Sequence, residues 1–518
     1  MVSLNGFPQQ TISGMPNRPF ARSAGRAVAG VLLPLLEQGS ALPGTLATRV
    51  YRAIRAAILD GTLREGERLP STRTLAADLA VSRSTAEAAY AQLEDEGYVR
   101  RGVGSGSYVG SAPVARTGDG SAARLPPPSA PSPRFSERGR AVALAGACID
   151  ARAIRAFSAG MPALDAFPAQ TWQRLLARQA RRDPASWMMY SDPQGLPSLR
   201  EAIAQYLALS RGVHCDASQV IVLGSSQQAL GLIAMMMLDA GDPVWLEEPG
   251  YRGAQTAFAA AGATLVPVPV DADGFCVEQG LRLAPQAKLA YVTPSHQYPL
   301  GMTLSLARRL QLLAWARDNG AWIVEDDYDS EFHYDSRPVS AIQGLDRQQR
   351  VLYVGTFSKV LYPGLRLAYL VVPKPMVAAF VTARTQVDGH APALMQAALA
   401  DFMQDGHFMA HVRRMRELYR ARRDILMEEL QRHLGDRLLP QASQGGMQAA
   451  CLLADQRTAD TRIADEAAAA GIDLPPLSRL YLGAKQRNGF VMGFSALAPS
   501  DIRAGARSLA RLWQRSTR

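Results

Sequence analysis

A proline-rich run separates the chain into two parts that cannot share one continuous core. Residues 125–133 read Leu-Pro-Pro-Pro-Ser-Ala-Pro-Ser-Pro, and the residues around them are rich in Gly, Ser and Arg. Such a segment buries too little apolar surface to fold, and its prolines favour a semi-extended spacer. We therefore expect four parts, which are a mobile leader at 1–38, a domain at 39–112, a linker at 113–150 and a larger domain at 151–518.

The composition agrees with a multidomain protein that carries a basic charge. The 518 residues are 47% apolar and 20% charged, and the net charge is +10. A chain of this length exceeds one ordinary core, so two or three domains are expected. The positive charge permits a nucleic-acid partner but does not establish one. The basic segment at 413–423 is interpreted as the solvated face of a long helix, with a second DNA-contacting surface as the alternative.

Nothing in the sequence predicts export, a membrane anchor or a metal site. An apolar stretch at residues 27–36 imitates a signal peptide, but it contains Pro34 and lacks a small-residue cleavage site. No apolar run reaches the roughly 20 residues that a spanning helix requires. The four cysteines lie far apart with no histidine cluster nearby, which favours buried, reduced thiols over zinc or disulfides. We expect a cytoplasmic protein that holds no metal.

The first domain is predicted to contain three helices and a hairpin. The helix at 46–59 has one apolar face with four-residue steps, formed by Val50, Ile54 and Ile58. The helices at 72–79 and 83–96 each follow a serine that can cap a helix start. Residues 98–109 read as two short strands around a glycine-rich turn. This order of elements is that of a winged helix-turn-helix.

The third predicted helix begins with residue types that contact DNA. A helix in the major groove offers its first residues to base edges, and an arginine there can form paired hydrogen bonds with guanine. Hydroxyl groups and a helix N-terminus suit phosphate. The predicted DNA contacts are Arg73, Ser82, Arg83, Ser84, Thr85, Gly104 and Gly106. A winged helix that docks onto protein is the alternative, because Glu87 and the acidic residues at 94–96 nearly balance the arginines.

This domain resembles the GntR family of transcription regulators. The shared motifs are Gly-Glu-Arg-Leu-Pro-Ser-Thr-Arg at 66–73, Ser-Arg-Ser-Thr at 82–85 and Glu-Gly-Tyr at 96–98. The resemblance implies that Arg73, Arg83 and the glycines of the wing touch DNA. The sequence departs from the family at Ala86-Glu87, where a valine often follows the threonine, and this departure leaves the base preference open.

The second domain contains a lysine whose surroundings suit an aldehyde-bearing phosphate ester. Helical periodicity alternates with short apolar runs, which is typical of an α/β domain with a largely parallel sheet. Lys359 is flanked by Thr356 and Ser358 and is followed seven residues later by Arg366. A lysine amine forms an imine with an aldehyde, and an arginine forks onto a phosphate. This spacing predicts a cofactor that carries both groups.

Three upstream segments fit the same cofactor. The run Glu-Asp-Asp-Tyr-Asp at 325–329 places a carboxylate where it can keep a ring nitrogen protonated, with Tyr328 near the phenolic oxygen. The hydroxyl-rich turn at 224–230 presents backbone amides to phosphate at a helix start. Tyr251 follows a strand and can stack on a flat ring. A magnesium site is the alternative interpretation of the acidic cluster, but no phosphate-binding loop accompanies it.

Together these segments resemble the fold-type I aminotransferases. With the further motifs at 293–301 and 325–332, the chain from residue 40 to its end resembles the MocR subfamily of GntR regulators. The resemblance implies pyridoxal phosphate as the cofactor, with Lys359 carrying the imine. It also implies that Asp326 pairs with the ring nitrogen, because Asp326 rather than Asp327 lies two residues before the tyrosine.

The resemblance implies further contacts around the ring and the phosphate. Tyr328 meets the phenolic oxygen and Tyr251 stacks on the ring. Either His296 or Gln297 approaches the ring where aminotransferases use an asparagine. The phosphate is held by Ser226, Gln227, Ser358 and Arg366, and Thr356 is a further residue expected to contact the cofactor. Fold-type I sites are usually completed by a second subunit, so a homodimer is implied as well.

The implied function is a DNA-binding transcription regulator that senses pyridoxal phosphate, or its adduct with an amine, through Lys359. The alternative is a pyridoxal-phosphate-dependent aminotransferase with an accessory helix-turn-helix. Aminotransferases clamp the substrate carboxylate with an arginine, and this sequence has Val491 at the matching position. Arg479 and Arg487 are the candidates to replace it. The missing arginine favours the regulator, with vestigial or half-transamination activity at most.

Overall fold

The computed structural model describes residues 24–38, 44–102, 106–110, 135–145, 153–334, 340–441, 444–484 and 486–516. The chain divides into two units, residues 1–132 and 133–518, each with its own hydrophobic core. Within the described ranges, no helix is long and apolar enough to cross a membrane. Cys276 and Cys451 are buried free thiols and Cys215 is a half-buried one, while Cys148 lies outside these ranges.

The first unit is a winged helix-turn-helix. Its helices are α1 (Ala24–Gln38), α2 (Leu46–Leu59), α3 (Thr72–Asp78) and α4 (Arg83–Asp95), and its strands are β1 (Arg68–Leu69), β2 (Val99–Gly102) and β3 (Gly106–Val109). The strands lie in the order β1-β3-β2 and pair antiparallel. The three predicted helices and the predicted hairpin are confirmed, with each boundary within one residue of its expected place.

Hydroxyl side chains fix where three of these helices begin. Thr45, Ser71 and Ser82 each have extended backbone and accept a hydrogen bond from the amide three residues further on. Such a bond satisfies an amide that a helix start leaves without a partner, and it contributes about 1 kcal/mol. The cap at Ser82 therefore determines which residues stand at the N-terminus of α4.

The mobile leader expected at residues 1–38 is wrong in its second half, which forms α1. Val28 and Leu32 of this helix are buried in the core of the first unit. The Leu36 carbonyl accepts a hydrogen bond from Arg49 of α2 at 3.1 Å. Val28 and Leu32 are four residues apart and therefore lie on one face of the helix. The Gly and Pro content of the segment argued against a helix in the sequence. The first part of the leader lies outside the described residues.

The second unit is built from twelve helices and eleven strands within the described ranges. The helices are α5 (Glu137–Ala145), α6 (Ala169–Arg182), α7 (Pro197–Arg211), α8 (Ser226–Met237), α9 (Arg252–Ala260), α10 (Val277–Leu283), α11 (Leu306–Asp318), α12 (Val377–Val387), α13 (Ala393–Gln404), α14 (His407–Leu434), α15 (Asp460–Ala469) and α16 (Pro499–Ser516). The strands are β4 (Val220–Leu223), β5 (Pro243–Glu248), β6 (Thr264–Asp271), β7 (Gly274–Phe275), β8 (Leu289–Val292), β9 (Trp322–Asp327), β10 (Val351–Thr356), β11 (Ala368–Val371), β12 (Leu438–Pro440), β13 (Gln448–Leu453) and β14 (Gly489–Gly493).

Eight strands form one mostly parallel sheet in the order β4-β11-β10-β9-β8-β5-β6-β7. The strands β10, β9, β8, β5 and β6 run parallel, whereas β11 is antiparallel to both of its neighbours. The prediction of an α/β domain with a largely parallel sheet is confirmed. Because parallel strands end at the same edge, the segments that follow β5, β8, β9 and β10 meet there.

A smaller antiparallel sheet has the order β12-β13-β14. Its register places Gln448 opposite Gly493 and Ala450 opposite Val491. Alternate residues of β13 point to opposite faces. Ala449 and the other residues of one face belong to the main core, whereas Ala450 and Val491 belong to a separate small cluster.

The linker expected at residues 113–150 contains a helix that was not expected. This helix, α5, lies against α9, and the hydroxyl of Ser136 accepts a hydrogen bond from the Gly139 amide at 3.0 Å. The sequence of α5 has no proline and three alanines, and alanine has the highest helix propensity, so a helix can form again after the proline-rich run. The run at 125–133 itself lies outside the described residues.

The basic segment at 413–423 lies in α14, where several of its arginines bind their own domain. The carbonyl oxygens of Ala166, Glu331 and Ser495 accept hydrogen bonds from Arg414, Arg416 and Arg422, respectively. Arg423 lies over the ring of Tyr334, with 4.8 Å between its guanidinium carbon and the ring centroid. The interpretation as a solvated face is wrong for Arg422, which is buried, and for half-buried Arg416 and Arg423, whereas Arg414 stays exposed. Carbonyl groups that pack against the helix need donors, and these arginines supply them.

Replacing Leu32 by alanine tests whether α1 belongs to the core of the first unit. Leu32 is fully buried, so Leu32→Ala should lower the free energy of unfolding of this unit by about 2–5 kcal/mol. Leu33→Ala is the matched control, because Leu33 of the same helix is 44% exposed. Hydrogen exchange at the amides of α2 and α4, measured in the full chain, reports the change. Equal exchange rates in the two variants would contradict the packing of α1.

Candidate cofactor site and DNA-binding face

The predicted cofactor residues meet at one edge of the parallel sheet. Asp326 is the penultimate residue of β9, and Lys359 follows β10 by three residues. Tyr251 follows β5 by three residues, and Ser226 begins α8 just after β4. In open α/β sheets, ligands bind at the edge where the parallel strands end.

Lys359 has an amine whose neutral form is favoured by its surroundings. Its Nζ donates a hydrogen bond to the Gly160 carbonyl at 2.9 Å. Burial lowers the pKa of Lys359 below its ordinary value, while Asp329 and Asp326 act in the opposite direction. The neutral amine is the form that attacks an aldehyde carbon, so the lowered pKa fits the role predicted for this lysine.

Asp326 has one carboxylate oxygen that lacks a partner. The Tyr291 hydroxyl donates to its Oδ2 at 2.8 Å, whereas its Oδ1 is buried and accepts no hydrogen bond from the described residues. Burial raises the pKa of Asp326 to about 7. A buried acceptor without a donor is rare in a native protein, and a protonated ring nitrogen would supply the missing donor. The donor set therefore fits a pyridine cofactor.

Asp327 forms a buried ion pair with Arg211. Its Oδ2 lies 2.7 Å from Nε of Arg211 and also accepts a hydrogen bond from the Tyr353 hydroxyl. Burial alone would raise the pKa of Asp327, but Arg211 and the hydroxyl hold it below its ordinary value. Because neighbouring residues of a strand point to opposite faces, only one of the two aspartates can face the cofactor edge. The geometry favours Asp326 for that position.

His296, rather than Gln297, stands beside Tyr328. The Nδ1 atom of His296 lies 3.0 Å from the Tyr328 hydroxyl and 3.0 Å from Oδ2 of Asp329. The amide of Gln297 is already used, because its Nε2 donates to the carbonyls of Pro249 and Tyr298 and its Oε1 accepts from the Leu300 amide. Of the two residues that the sequence left open, local hydrogen bonding favours His296 as the one that approaches the ring.

Backbone amides and a basic side chain line the expected phosphate side. The N-terminus of α8 is capped by Ser225, whose hydroxyl accepts from the Gln228 amide at 3.1 Å, and Ser226 is the first residue of the helix. Gln227 donates to the Gly253 carbonyl at 2.8 Å. Arg366 has left-handed backbone with φ of 53° and is exposed, and no hydrogen bond or ion pair from the described residues engages its side chain. This arrangement is suited to an anion.

Three more of the predicted residues adjoin this side. The Ser358 amide donates to the Thr356 hydroxyl at 3.2 Å in the turn that carries the lysine. Tyr251 precedes α9 and meets Tyr298 edge to face, with ring centroids 5.9 Å apart. A Cβ atom at Gly253 would collide with the Tyr251 ring and with Oε1 of Gln227. Glycine at this position therefore lets the tyrosine and the glutamine lie side by side.

The position of the aminotransferase carboxylate clamp is apolar. Val491 is fully buried in β14 and clusters with Leu300, Ala450, Leu452, Leu477 and Leu480. Arg479 and Arg487 are both exposed. Their exposure differs from the burial expected of a guanidinium that pairs with a substrate carboxylate.

The start of α4 forms an exposed cluster of hydroxyl groups. The Ser82 hydroxyl lies 2.7 Å from the Thr85 hydroxyl and 2.9 Å from that of Ser84. Arg83 and Arg73 are exposed on α4 and α3. Gly106 begins β3 with φ of 104°, a conformation that favours glycine, whereas Gly104 lies outside the described residues.

Two acidic residues of α4, Glu87 and Glu94, pair with one arginine of the same unit. Arg101 of β2 lies 2.6 Å from the Glu87 carboxylate and 3.3 Å from that of Glu94. The hydrogen bond from Arg101 holds the pKa of Glu87 below its ordinary value. This pairing weakens the charge-balance argument for a protein-docking surface, because Arg73 and Arg83 lie outside it.

Four residues of the site were not singled out from the sequence. Tyr291 and Arg211 hold the two aspartates, Asp329 binds His296, and Gly160 accepts from Lys359. A tyrosine in a strand that is otherwise Leu, Ala and Val was a usable signal, because a buried hydroxyl needs a partner. The other three positions had no distinguishing pattern.

Comparison with known proteins identifies the class. Residues 46–109 match the model of bacterial regulatory proteins of the gntR family, and residues 157–474 match the model of aminotransferase class I and II. A winged helix-turn-helix joined to an aminotransferase-like domain defines a DNA-binding regulator that uses pyridoxal phosphate. The chain belongs to the MocR subfamily of the GntR family. When bound, pyridoxal phosphate withdraws electrons from groups attached at its aldehyde carbon.

Individual relatives agree with this assignment. The chain is 41% identical over 462 residues to the probable rhizopine catabolism regulatory protein MocR of Rhizobium meliloti, covering 89% of this chain and 92% of that protein. It is 31% identical to the pyridoxine biosynthesis regulator PdxR of Corynebacterium glutamicum, over 89% and 94% of the two chains. The crystal structure of Pyrococcus horikoshii kynurenine aminotransferase is similar with a TM-score of 0.66 and 26% identity, covering 74% of this chain and 96% of that chain.

The two neighbouring aspartates should differ in their effect on the stability of the cofactor-free protein. Asp327→Asn removes the charge partner of buried Arg211 and should lower the free energy of unfolding by about 3–5 kcal/mol. Asp326→Asn neutralises a carboxyl group whose charge burial already disfavours, so the loss should stay below about 1 kcal/mol. Urea unfolding at neutral pH measures both. A larger loss in Asp326→Asn than in Asp327→Asn would contradict the assignment.

The pH dependence of stability tests the raised pKa of Asp326. Its pKa is about 7 in the folded state, whereas an ordinary aspartate has a pKa of 3.8, so between these pH values the folded state binds one proton that the unfolded chain has released. Asp326 therefore contributes to the free energy of unfolding at low pH, and this contribution is lost as the pH rises from 3.8 to about 7. The stability of the wild type relative to Asp326→Asn should fall over the same range. A difference that does not change with pH would exclude the raised pKa.

Proposed function

We propose that this protein is a cytoplasmic, homodimeric regulator that binds operator DNA through α4 and changes its DNA affinity when pyridoxal phosphate, alone or with an amine effector, occupies the Lys359 site. The observation that carries the proposal is the unpaired Oδ1 of Asp326 at the edge where Lys359 also lies. It supports a bound pyridine ring in a chain that also contains a DNA-binding unit.

In this proposal each side chain of the site has one task. Lys359 is the amine that holds the aldehyde carbon, and Asp326 keeps the ring nitrogen protonated. Tyr328 and His296 are directed to the phenolic oxygen, and Tyr251 covers the ring face. The phosphate side of the cofactor is assigned to Ser226, Gln227, Thr356, Ser358 and Arg366.

DNA recognition is assigned to the exposed cluster at the start of α4. Arg83 reads a base edge, and Arg73 binds the phosphate backbone. The hydroxyl groups of Ser82, Ser84 and Thr85 and the helix N-terminus favour a phosphate group. Gly106, together with Gly104, allows the wing to approach the sugar-phosphate chain.

A homodimer is supported by an exposed apolar run in the second unit. The side chains of Met188, Met189 and Tyr190 are 85%, 71% and 98% exposed. Three consecutive large side chains with this exposure are unusual for a monomer and mark a surface for protein contact. A second copy of the chain is the partner we assign to it, with light scattering of the purified protein as the direct measurement.

Steady transamination of amino acids is the weaker alternative. The residues around Lys359 suffice to bind the cofactor, but Val491 stands where a carboxylate clamp is needed. A buried carboxylate without a partner is strongly unfavourable. The regulator is therefore the function that the site supports best.

Arg83→Ala tests DNA recognition. Loss of a paired hydrogen bond to a base should weaken binding about tenfold to a hundredfold. Arg64→Ala is the matched control, because Arg64 is exposed in the same unit but lies outside α3, α4 and the wing. Fluorescence anisotropy with DNA from upstream of the chain's own gene, at one fixed salt concentration, gives both affinities. If both variants lost DNA affinity equally, the loss would reflect the removal of positive charge alone and would contradict base recognition by Arg83.

Lys359→Ala tests the response to the cofactor. The wild type should gain a visible absorbance band with pyridoxal phosphate and should change its DNA affinity when the cofactor is added. Lys359→Ala should lose the band and the change, whereas Lys374→Ala, at a lysine paired with Asp216 on the surface, should keep both. A cofactor effect on DNA affinity that persists in Lys359→Ala would contradict the proposed response.

A further inference from the structure

Gln448, the first residue of β13, has a buried amide oxygen without a partner. The residue is 3% exposed, and its Oε1 accepts no hydrogen bond from the described residues. A buried acceptor that receives no donor lowers stability, so its persistence suggests a ligand that supplies the donor. The proposed contacts to the cofactor leave Gln448 unused.

The unpaired oxygen lies beside the reactive amine. A Cβ atom built on Gly160 would lie 2.8 Å from Nζ of Lys359 and 3.5 Å from Oε1 of Gln448. A side chain at this glycine would therefore fill the space that the amine and the amide share. Across the small sheet, Gln448 pairs with Gly493, so no side chain from β14 covers it.

The wall next to Gln448 is apolar. Ala450 follows it on the same face of β13, and Val491 lies opposite Ala450 on β14. These two residues cluster with Leu300 and with partly buried Ala159 and Tyr298, which connect the cluster to the Gly160 segment. The polar groups of this wall, the Gln448 amide and the Tyr298 hydroxyl, are neutral, and none of the wall residues named is a cation.

We propose that Gln448 selects the effector, which is a primary amine that carries a hydroxyl or second N–H donor and no α-carboxylate. This inference rests on the proposed binding of pyridoxal phosphate at Lys359. The hydroxyl or second N–H group of the effector donates a hydrogen bond to Oε1 of Gln448, which has no other donor among the described residues. A carboxylate at the same place would meet an acceptor and a hydrocarbon wall, and both disfavour it.

The effector exchanges with the lysine on the cofactor without redox chemistry. A carbon–nitrogen bond forms to the effector while the bond to Lys359 breaks. The protons that leave the effector nitrogen pass to the lysine nitrogen, so no electron pair is gained or lost. The second donor of the effector would then lie within reach of the Gln448 oxygen, which adjoins the same space at Gly160 as the Lys359 amine.

Ethanolamine and propylamine provide a matched pair of probes, because they have the same number of heavy atoms and differ in one hydroxyl. The full chain loaded with pyridoxal phosphate is titrated with each amine and with the free amino acid alanine, while visible absorbance is followed. In the wild type, ethanolamine should bind about tenfold more tightly than propylamine, as one buried hydrogen bond gives. Alanine should bind most weakly.

Variants at Gln448 separate a specific contact from a general packing effect. Gln448→Met keeps the length of the side chain and removes the acceptor, so it should bind the two amines equally. Gln448→Glu keeps an acceptor oxygen and should retain the preference for ethanolamine. Gln441→Leu, outside the site, is the control and should behave as the wild type.

The outcomes distinguish this inference from the proposed function. Absence of a Lys359-dependent band in the wild type would refute the cofactor site and the inference with it. A normal band with an unchanged preference in Gln448→Met would refute the role of Gln448 alone. If Gln448→Met does not bind the cofactor, the test rests on Gln448→Glu. Loss of the preference for ethanolamine over propylamine in Gln448→Glu would then overturn the proposal. Tight binding of alanine to the wild type would also overturn the carboxylate-free class.

Discussion

The ion pair between Arg211 and Asp327 holds together the edge of the sheet on which the cofactor site is built. Arg211 ends α7, and it binds Asp327 of β9 and the Ser295 hydroxyl, which follows β8. Three elements are thus joined at one buried point. Since neighbouring strand residues face opposite ways, fixing Asp327 on one side directs Asp326 to the other. The parallel register with β10 places Val354 beside Asp326, four residues before Ser358 and five before the lysine.

Around this pair, several carboxyl groups are buried, and burial raises their pKa values. Burial raises the pKa of Glu247, Glu325, Asp326 and Glu331 to about 7 in each case. Glu325 is held by the amides of Ile342 and Gln343, at 2.8 and 2.9 Å. Asp326 and Glu331 each keep one oxygen without a partner from the described residues, and Asp326 is the one at the sheet edge where Lys359 also lies. His296 and Asp329 extend the same polar region to Tyr328.

Local signals in the sequence were sufficient for elements that are stabilised locally. The helix starts at Ser71 and Ser82 follow from capping hydroxyls, and Lys359 followed from its spacing to Arg366. Helices α1 and α5 were missed because their stability depends on a packing partner, which the composition of a flexible-looking segment does not reveal. Long-range pairing was equally hidden, since Arg211 and Asp327 are 116 residues apart. The choice of His296 over Gln297 required knowing which side chain the backbone already uses.

The central claim is that Lys359 is the residue that holds pyridoxal phosphate. The chain has only four lysines, Lys288, Lys359, Lys374 and Lys485, so the attachment site can be mapped without ambiguity. Borohydride reduction of the cofactor-loaded protein fixes the cofactor to its lysine, and mass spectrometry of the peptides locates it. The account predicts a phosphopyridoxyl group on the peptide that contains Lys359 and on no other. A label on another lysine, with Lys359 unmodified, would contradict it.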